Sequence, residues 1–153
     1  MGGMASGPNL LMVVDEQTGS HIHYAQRTQE HGYVAVLVSS LDAFKDAYLR
    51  SRPSLIAVNV MIGGEDCGDV LDFLARCRCL APVVLTTRNS MRTMERMEAR
   101  MRGTGLRIVA RIRKDDDLFA LGEVLRVHRR AGSGASLARD VGQARQDFTA
   151  PGR

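Results

Sequence analysis

The sequence predicts an α/β fold in which five parallel β-strands form one sheet with helices on both faces, the doubly wound (βα)5 arrangement. Two observations support this prediction. Short runs rich in Val, Ile and Leu recur along the chain, and each is followed by a stretch with apolar residues at three- and four-residue intervals. The strand runs also lack strict alternation of apolar and polar residues, which is typical of parallel strands buried on both faces.

The five predicted strands are the apolar runs of the chain, taken in order. They are NLLMVV (Asn9–Val14), VAVLV (Val34–Val38), LIAV (Leu55–Val58), VVLT (Val83–Thr86) and LRIVAR (Leu106–Arg111). Each run is rich in the β-branched and aliphatic residues that suit a buried strand.

A predicted helix follows every strand. The helices run roughly over Ser20–Glu30, Leu41–Arg50, Asp66–Leu80, Ser90–Arg102 and Asp116–His128. Each carries apolar residues at the spacing of one helical face, and the third begins after a Gly-Gly-acid-acid turn. We therefore expect one domain over residues 9–130, preceded by a disordered N-terminus over residues 1–8. The Gly/Ala/Arg-rich residues 131–153 are expected to form a linker or flexible tail that leads to an output domain.

Composition and charge limit the classes of function. No apolar run approaches the roughly 20 residues that cross a bilayer, and the N-terminus lacks a leader pattern, so we expect a soluble cytoplasmic protein without membrane contact. The net charge is +4, and residues 88–153 carry 15 of the 21 basic and 8 of the 17 acidic side chains. This bias favours acidic partners, whereas nucleic-acid binding is not expected because the chain has no recognition motif and 5% aromatic residues.

Polar side chains stand at the predicted carboxyl ends of four strands. The first strand runs into Asp15 and Glu16, the third ends at Asn59, the fourth at Thr86 and the fifth at Arg111. In an open parallel sheet, these ends meet at the crevice where ligands bind. The sequence therefore predicts a functional edge made of two acids, an amide, a hydroxyl and a cation.

The order and spacing of VVDE, NVMIGGED and VVLTTR resemble the receiver domain of bacterial response regulators, over Asn9 to Arg130. The resemblance implies a flavodoxin-like sheet with strand order 2-1-3-4-5. It implies that Asp15 and Glu16 stand at the family's Mg²⁺ site, Asn59 at its phospho-acceptor aspartate and Thr86 at its switch hydroxyl. The family's lysine, which a proline follows, corresponds to Arg111 or, on a shifted alignment, to Arg113 or Lys114.

Departures from the family pattern indicate a degenerate receiver, or pseudo-receiver. A carboxamide at Asn59 is neutral and weakly nucleophilic, so it cannot accept a phosphoryl group. Loss of that charge weakens Mg²⁺ binding, because this hard cation prefers carboxylate oxygens. Gly63 stands for the family's usual proline and Cys67 for its usual glycine. Asp15 and Glu16 are then either a remnant of the Mg²⁺ site or partners of Arg111 in an internal salt bridge that replaces the metal, because a buried carboxylate requires a cationic partner.

The predicted function is an atypical two-component signalling domain that is not an enzyme, requires no cofactor and binds Mg²⁺ weakly at most. It acts by phosphorylation-independent contacts with a protein partner or a fused output domain. The alternative is a small ligand-binding or enzymatic flavodoxin-like domain that uses the crevice. The predicted interaction surface lies on the fourth helix, fifth strand and fifth helix, which would also form a homodimer. Its residues are Met91, Arg92, Met94, Arg96, Arg100 and Arg113.

Overall fold

A computed structural model describes residues 9–16, 25–114 and 118–129 of the chain. Five strands form one parallel sheet, namely β1 (Asn9–Val14), β2 (Tyr33–Val38), β3 (Leu55–Asn59), β6 (Val83–Thr87) and β7 (Ile108–Arg113). A separate two-stranded antiparallel hairpin consists of β4 (Met61–Ile62) and β5 (Glu65–Asp66). No helix in this described part is long and apolar enough to cross a membrane.

Helices connect the parallel strands, as the βαβ pattern requires. They are α1 (residues 25–30), α2 (Leu41–Arg50), α3 (Gly68–Arg76), α4 (Met91–Arg100) and α5 (Leu118–His128). The predicted N-terminal end of the first helix, residues 131–153 and residues 1–8 lie outside the described residues. The predicted bounds of α2 are confirmed, and its start is fixed by Ser40, whose hydroxyl accepts a hydrogen bond from Ala43 N at 3.1 Å.

The strand order is β2-β1-β3-β6-β7, with every neighbouring pair parallel. This is the predicted order 2-1-3-4-5 once the hairpin strands are set aside, so the predicted fold class is confirmed. Because all five strands point the same way, their carboxyl ends share one edge of the sheet. We call this the crevice edge, and the opposite edge holds the loops that enter the strands.

The sheet separates two apolar layers. The larger one contains side chains of α2, α3 and α4 packed on one face, including Phe44, Leu71 and Met94. The smaller one contains Leu121 and Leu125 of α5 on the other face. Burial on both faces explains why the strand sequences are continuously apolar rather than alternating.

The loop after β3 departs from the predicted turn and helix. Gly63 and Gly64 both have positive φ angles, 62° and 81°, and they form the two-residue turn between β4 and β5. Such a turn requires left-handed backbone at both central positions, which glycine adopts without strain. The helix therefore begins two residues later than predicted, at Gly68, whose N–H donates to Asp66 Oδ1 at 2.9 Å.

The predicted fifth strand is displaced by two residues along the chain. It runs over Ile108–Arg113 rather than Leu106–Arg111. A register irregularity between Val83 and Val84 places an extra residue in β7, and the pairing then continues to Thr87 opposite Arg113. Lys114 N extends the ladder by donating to Thr87 O at 2.7 Å. This longer pairing decides which basic residue reaches the crevice edge.

Helix α3 ends in a Schellman turn with arginine at the position that favours glycine. Cys79 N donates to Leu74 O and Arg78 N donates to Ala75 O, both at 3.0 Å, while Arg78 has a φ of 55°. The helix thus ends at Arg76 instead of continuing to the predicted Leu80. A non-glycine side chain in this conformation costs roughly 1 kcal/mol.

Replacing Arg78 with glycine is therefore expected to raise the free energy of unfolding by about 0.5–1 kcal/mol. Urea unfolding followed by circular dichroism measures the change. The matched control is Arg76→Gly, which puts glycine inside the helix and is expected to lower stability by about 1 kcal/mol. Equal losses for both variants would contradict the left-handed geometry of Arg78.

Candidate functional site

Three strand ends and a post-strand lysine converge at the crevice edge. Asp15 directly follows β1 and is held by its N–H, which donates to Val38 O at 3.0 Å. Asn59 is the last residue of β3 and lies opposite Thr86 of β6 in the parallel register. Lys114 directly follows β7. The parallel pairing of β1 with β3 and of β3 with β6 brings Asp15, Asn59 and Thr86 together at this edge, as the sequence predicted.

The centre of this site is a buried ion pair. Lys114 Nζ lies 2.6 Å from Asp15 Oδ2, and the two side chains are 7% and 0% exposed. The second carboxylate oxygen, Asp15 Oδ1, accepts a hydrogen bond from Asn59 Nδ2 at 3.2 Å. Asn59 Oδ1 in turn accepts a weak bond from Met61 N at 3.4 Å. Both oxygens of the buried carboxylate are therefore engaged by nitrogen donors.

This pairing has a clear electrostatic consequence. A carboxylate withdrawn from water is destabilised by several kcal/mol unless a cation and hydrogen-bond donors compensate. The ammonium group supplies the charge, and the Asn59 amide supplies a further donor in a charge-assisted hydrogen bond. An aspartate at position 59 would instead place a second negative charge beside Asp15. The amide is thus electrostatically matched to the Asp15–Lys114 pair.

The cation at the crevice edge is Lys114, so the prediction that Arg111 occupies this position is wrong. Arg111 Nη1 lies 3.5 Å from Glu98 Oε1 of α4, and the arginine side chain is 52% exposed. The physical reason is the extended pairing of β7, which carries Arg111 away from the strand end. Arg113 is the exposed last residue of β7. The sequence pointed to Lys114 only when the segment was matched to the family pattern with a shift. Because Arg111, Arg113 and Lys114 are all basic, the sequence could not show which of them reaches the crevice edge.

The residues present do not fit a Mg²⁺ site. Both oxygens of Asp15 face nitrogen donors, and Asn59 directs its amide nitrogen, not its oxygen, at the carboxylate. Glu16 lies on the exposed surface. Within residues 9–16, 25–114 and 118–129, no cluster of three or more His, Cys, Asp and Glu side chains is placed to hold a metal ion. Mg²⁺ requires several oxygen ligands in octahedral geometry, so it would have to displace the lysine.

Two adjacent threonines end β6 and have different environments. Thr86 is 2% exposed, and its carbonyl accepts a hydrogen bond from Val60 N at 2.9 Å, which ties the end of β6 to the loop after β3. The Thr87 hydroxyl accepts a hydrogen bond from Ser90 N at 2.8 Å. Thr86 is therefore buried at the end of β6, and the switch role of its hydroxyl stays a prediction. Thr87 fixes the entry into α4.

Cys67 lies buried between the hairpin and α3. Its N–H donates to Val60 O at 2.9 Å, which closes the base of the hairpin, and its side chain is 1% exposed. Burial, together with the negative charge of Asp66, raises the pKa of the Cys67 thiol to about 12. The thiol is therefore protonated at neutral pH and serves as an apolar packing group rather than a nucleophile.

The predicted interaction surface is divided by the structure. Met94 belongs to the core with 0% exposure, so its placement on the surface is wrong. The reason is that Met94, Met97 and Met101 form the inward face of α4. Met91, at 36% exposure, and Arg92 lie on the outer surface.

Arg96 and Arg100 point toward α3 and the hairpin rather than toward β7. Arg96 Nη2 lies 3.6 Å from Asp66 Oδ2, and Arg100 Nη2 lies 2.6 Å from Asp72 Oδ2. A Cβ at Gly68 would collide with the Arg100 guanidinium, so the glycine leaves room for that side chain. Both arginines therefore form partly exposed ion pairs within the domain, and their part in the predicted contact surface stays a prediction.

Comparison with known proteins supports the fold. No protein-family model matches the chain, and a search of the curated proteins finds no match. Solved structures with a similar fold include a sensor protein from Polaromonas sp. JS666, with a TM-score of 0.67 and 13% identity over 78% of this chain and 94% of that one. A two-component response regulator from Clostridium difficile has a TM-score of 0.66 and 12% identity, again over 78% and 94% of the two chains.

A further similar structure is a response regulator protein from Thermotoga maritima, solved in complex with Mg²⁺–BeF. Its TM-score is 0.62, with 15% identity over 78% of this chain and 98% of that one. At these identities the likeness establishes the architecture alone. The chain has the receiver fold, as the sequence predicted.

Proposed function

We propose that this chain is a cytoplasmic signalling domain of receiver architecture that works without phosphorylation and without enzymatic activity. The observation that supports it most directly is the buried Asp15–Lys114 ion pair, capped by the Asn59 amide. Phosphoryl transfer to a receiver-like site needs an anionic nucleophile and a divalent cation. Here an amide stands in the nucleophile's place, and an ammonium group neutralises the carboxylate that a cation would use.

The Asn59 amide, hydrogen-bonded to the Asp15 carboxylate that Lys114 neutralises, also removes the usual phosphoryl input to the site. Lys114 is part of the polypeptide, so its charge does not vary with the concentration of Mg²⁺ or of a phosphodonor. The connections from Asn59 to Met61 and from Thr86 to Val60 then hold the surrounding loop in one arrangement. Such a domain transmits a signal by making or losing a protein contact rather than by switching at the crevice.

The contact surface proposed for this role consists of Met91, Arg92 and Arg113, and it would take an acidic partner, an output domain or a second copy of the chain. Met91 is a partly exposed apolar group next to the exposed Arg92 in α4, and Arg113 is exposed at the end of β7. Methionine repacks easily against different partners, and arginine is enriched at protein interfaces. This surface adjoins β7, whose outer edge has no neighbouring strand in the described sheet.

Incubation with Mg²⁺ and acetyl phosphate is expected to leave the intact mass of the protein unchanged, because Asn59 offers no carboxylate for attack. Beryllofluoride with Mg²⁺ should likewise produce no thermal shift, and Mg²⁺ alone should bind at about millimolar affinity or weaker. A phosphorylatable receiver treated in parallel serves as the positive control. A stoichiometric, base-labile phosphoryl adduct on this chain would refute the proposal.

Two arginines one turn apart on α4 provide a test of the contact surface. Arg92→Glu is expected to change stability by less than about 0.5 kcal/mol, because Arg92 is exposed. It should nevertheless slow association with a partner or weaken self-association, with a smaller loss at high salt. Arg96→Glu should instead lower stability by roughly 0.5–1 kcal/mol, since it opposes Asp66, and should leave association unchanged.

Sedimentation velocity measures self-association of these two variants, and surface plasmon resonance measures binding to an identified partner. The proposal predicts opposite profiles for the two substitutions. If Arg96→Glu disrupted association and Arg92→Glu did not, the contact would lie on the α3 side of α4, and the proposed surface would be wrong.

A further inference from the structure

A group of arginines lies at the edge of the sheet opposite the crevice. Three loops enter β3, β6 and β7 there, with sequences SRPS (51–54), CRCLAP (77–82) and MRGTGLR (101–107), and none contains aspartate or glutamate. We call this group the arginine edge. It consists of Arg52, Arg76, Arg78, Arg102 and Arg107.

Contacts across the loops join these residues into one surface. Arg107 Nη1 donates to Leu80 O at 3.3 Å, and Val83 N donates to Arg107 O at 2.7 Å, so the second and third loops are in contact. Ile56 N of β3 donates to Pro82 O at 3.0 Å, so the strand that follows the first loop is in contact with the second loop.

The arginine edge has no internal counter-charge. All five side chains belong to exposed residues, and none of them forms an ion pair within the part of the chain that the structure describes. Other arginines of the described chain do form ion pairs, for example Arg100 with Asp72 and Arg126 with Glu123. The carbonyl ends of helices attract cations, which accounts for Arg76 in the last turn of α3. Arg107 directly precedes β7, away from the end of any helix in the described chain, and is not explained by that attraction.

An apolar side chain stands among these charges. Leu80 is 83% exposed, the largest exposure among the large hydrophobic residues of the described chain, and its carbonyl is the group that Arg107 contacts. Leu49, near the end of α2, is also 73% exposed. An apolar centre with a rim of arginine is the usual anatomy of a protein–protein contact.

The backbone at Arg78 gives an independent observation. Its φ of 55° is the left-handed conformation that glycine adopts without strain, yet the chain has arginine there, with its side chain exposed. Strained positions of this kind are found where the side chain has a role beyond stabilising the fold. Arginine is therefore present at this position at the cost of helix-end stability.

We propose that the arginine edge, with Leu80 at its centre, is a docking surface for an acidic protein segment that carries an apolar side chain. Arginine forks recognise carboxylates through paired hydrogen bonds, and the leucine offers area for an apolar group between them. The exposed leucine favours a polypeptide over a nucleic-acid backbone. This surface is on the opposite edge from the crevice, so its binding does not depend on whether the crevice is phosphorylated.

Fluorescence anisotropy with two labelled synthetic peptides tests the proposal. One peptide repeats Glu-Glu-Leu and the other, of equal length and charge, repeats Glu-Glu-Ser. The leucine peptide is expected to bind roughly tenfold more tightly, because Leu80 buries its apolar side chains, and its affinity should fall as salt is raised. Leu80→Ser should remove the difference between the two peptides.

Charge variants then locate the binding surface. Arg78→Glu and Arg107→Glu are each expected to weaken the leucine peptide about fivefold, and Arg126→Glu, on α5, is the matched control that should leave it unchanged. Arg78→Gly keeps and stabilises the fold, so a loss of binding in that variant cannot be attributed to unfolding.

Three outcomes would overturn the proposal. Tighter binding of a duplex DNA of about 20 base pairs, or of phosphatidylglycerol vesicles, with the same dependence on Arg78 and Arg107 would assign the surface to nucleic acid or membrane. Equal losses with Arg126→Glu would show a non-specific charge effect. Absence of salt-dependent binding to either peptide would show that the surface is merely solvated.

Discussion

Replacing Lys114 with methionine is expected to lower the free energy of unfolding by about 3–5 kcal/mol, the range found when one member of a buried ion pair is removed. Methionine keeps most of the lysine volume, so the main loss is the charge. The Asp15 carboxylate, which is 0% exposed, would then lack its ammonium partner. Asp15→Asn should also lower the free energy of unfolding, because the buried Lys114 ammonium would lose the carboxylate that lies 2.6 Å from it.

The double variant Asp15→Asn, Lys114→Met is the decisive member of this cycle. Both charges are gone, and the amide at position 15 can still hydrogen-bond to Asn59. We expect its stability to return to within about 1 kcal/mol of the original protein, because a buried ion pair contributes little net stability compared with neutral groups of the same shape. Urea unfolding gives the free energy of unfolding of all four proteins, fitted with one common dependence on urea concentration. The differences among them give the coupling energy between Asp15 and Lys114.

An exposed pair supplies the control. Asp46→Asn makes the same chemical change beside Arg50, in a pair whose side chains are 64% and 70% exposed, and should cost less than about 0.5 kcal/mol. If Lys114→Met were as mild as this control, the Asp15 carboxylate would be hydrated rather than paired. If the double variant lost the sum of the single losses, packing rather than charge would be responsible.

Replacing Asn59 with aspartate is expected to convert a chain that accepts no phosphoryl group into one that is partly phosphorylated by acetyl phosphate. The change restores an anionic nucleophile beside Asp15, and Lys114 is already within the site. Two neighbouring carboxylates then compete for one ammonium group, so stability without metal should fall by about 1–3 kcal/mol. Recovery should be incomplete, because Asp115 follows Lys114 where the receiver family has proline.

Mg²⁺ should reverse part of that loss in the aspartate variant alone. At about 10 mM Mg²⁺ and a dissociation constant of about 1 mM, mass action contributes about 1.4 kcal/mol. The original protein should bind Mg²⁺ with a dissociation constant of about 10 mM or weaker, and should therefore gain at most about 0.4 kcal/mol under the same conditions. Thermal unfolding with and without Mg²⁺ measures the stabilisation, and intact mass measures the phosphoryl group.

The variant Asn59→Asp, Asp15→Asn serves as control for this conversion. It contains the nucleophile but lacks the neighbouring carboxylate, so it should bind no Mg²⁺ and form no adduct. An adduct on this control would mean that Asp15 takes no part in metal binding. If the Asn59→Asp variant bound Mg²⁺ but formed no phosphoryl adduct, a residue other than position 59 would be what prevents phosphorylation.

The five parallel strands and helices α2 to α5 were predicted correctly in type from local patterns, whereas the β4–β5 hairpin was not predicted. The bounds of β1 and α2 are as predicted, and β3 and β6 are each one residue longer than predicted. These elements have uninterrupted apolar runs or a capping serine, so the signals that define them lie within a few residues. The fold class and strand order followed from the same repeated pattern together with the receiver resemblance.

Other features depended on contacts between distant segments. The Gly63–Gly64 hairpin and the end of α3 at Arg78 arise from left-handed backbone positions, and helical periodicity does not register them. Burial of Met94 and the pairing of Arg96 with Asp66 depend on how α4 is rotated against α3. A helical pattern shows which residues share a face, but the packing decides which neighbour that face meets.

By itself, the sequence determined the α/β fold, the crevice edge and the presence of Asn59 at the carboxyl end of the third parallel strand, because these depend on residue type and order along the chain. Only the tertiary structure decided that Lys114, and not Arg111, neutralises Asp15. Three basic residues stand within four positions, and each is chemically able to pair with a carboxylate. The choice among them is made by the register between β6 and β7, where one irregular pairing near Val83 carries Lys114 to the strand end. Register is a property of two strands together, so neither strand's sequence contains it alone.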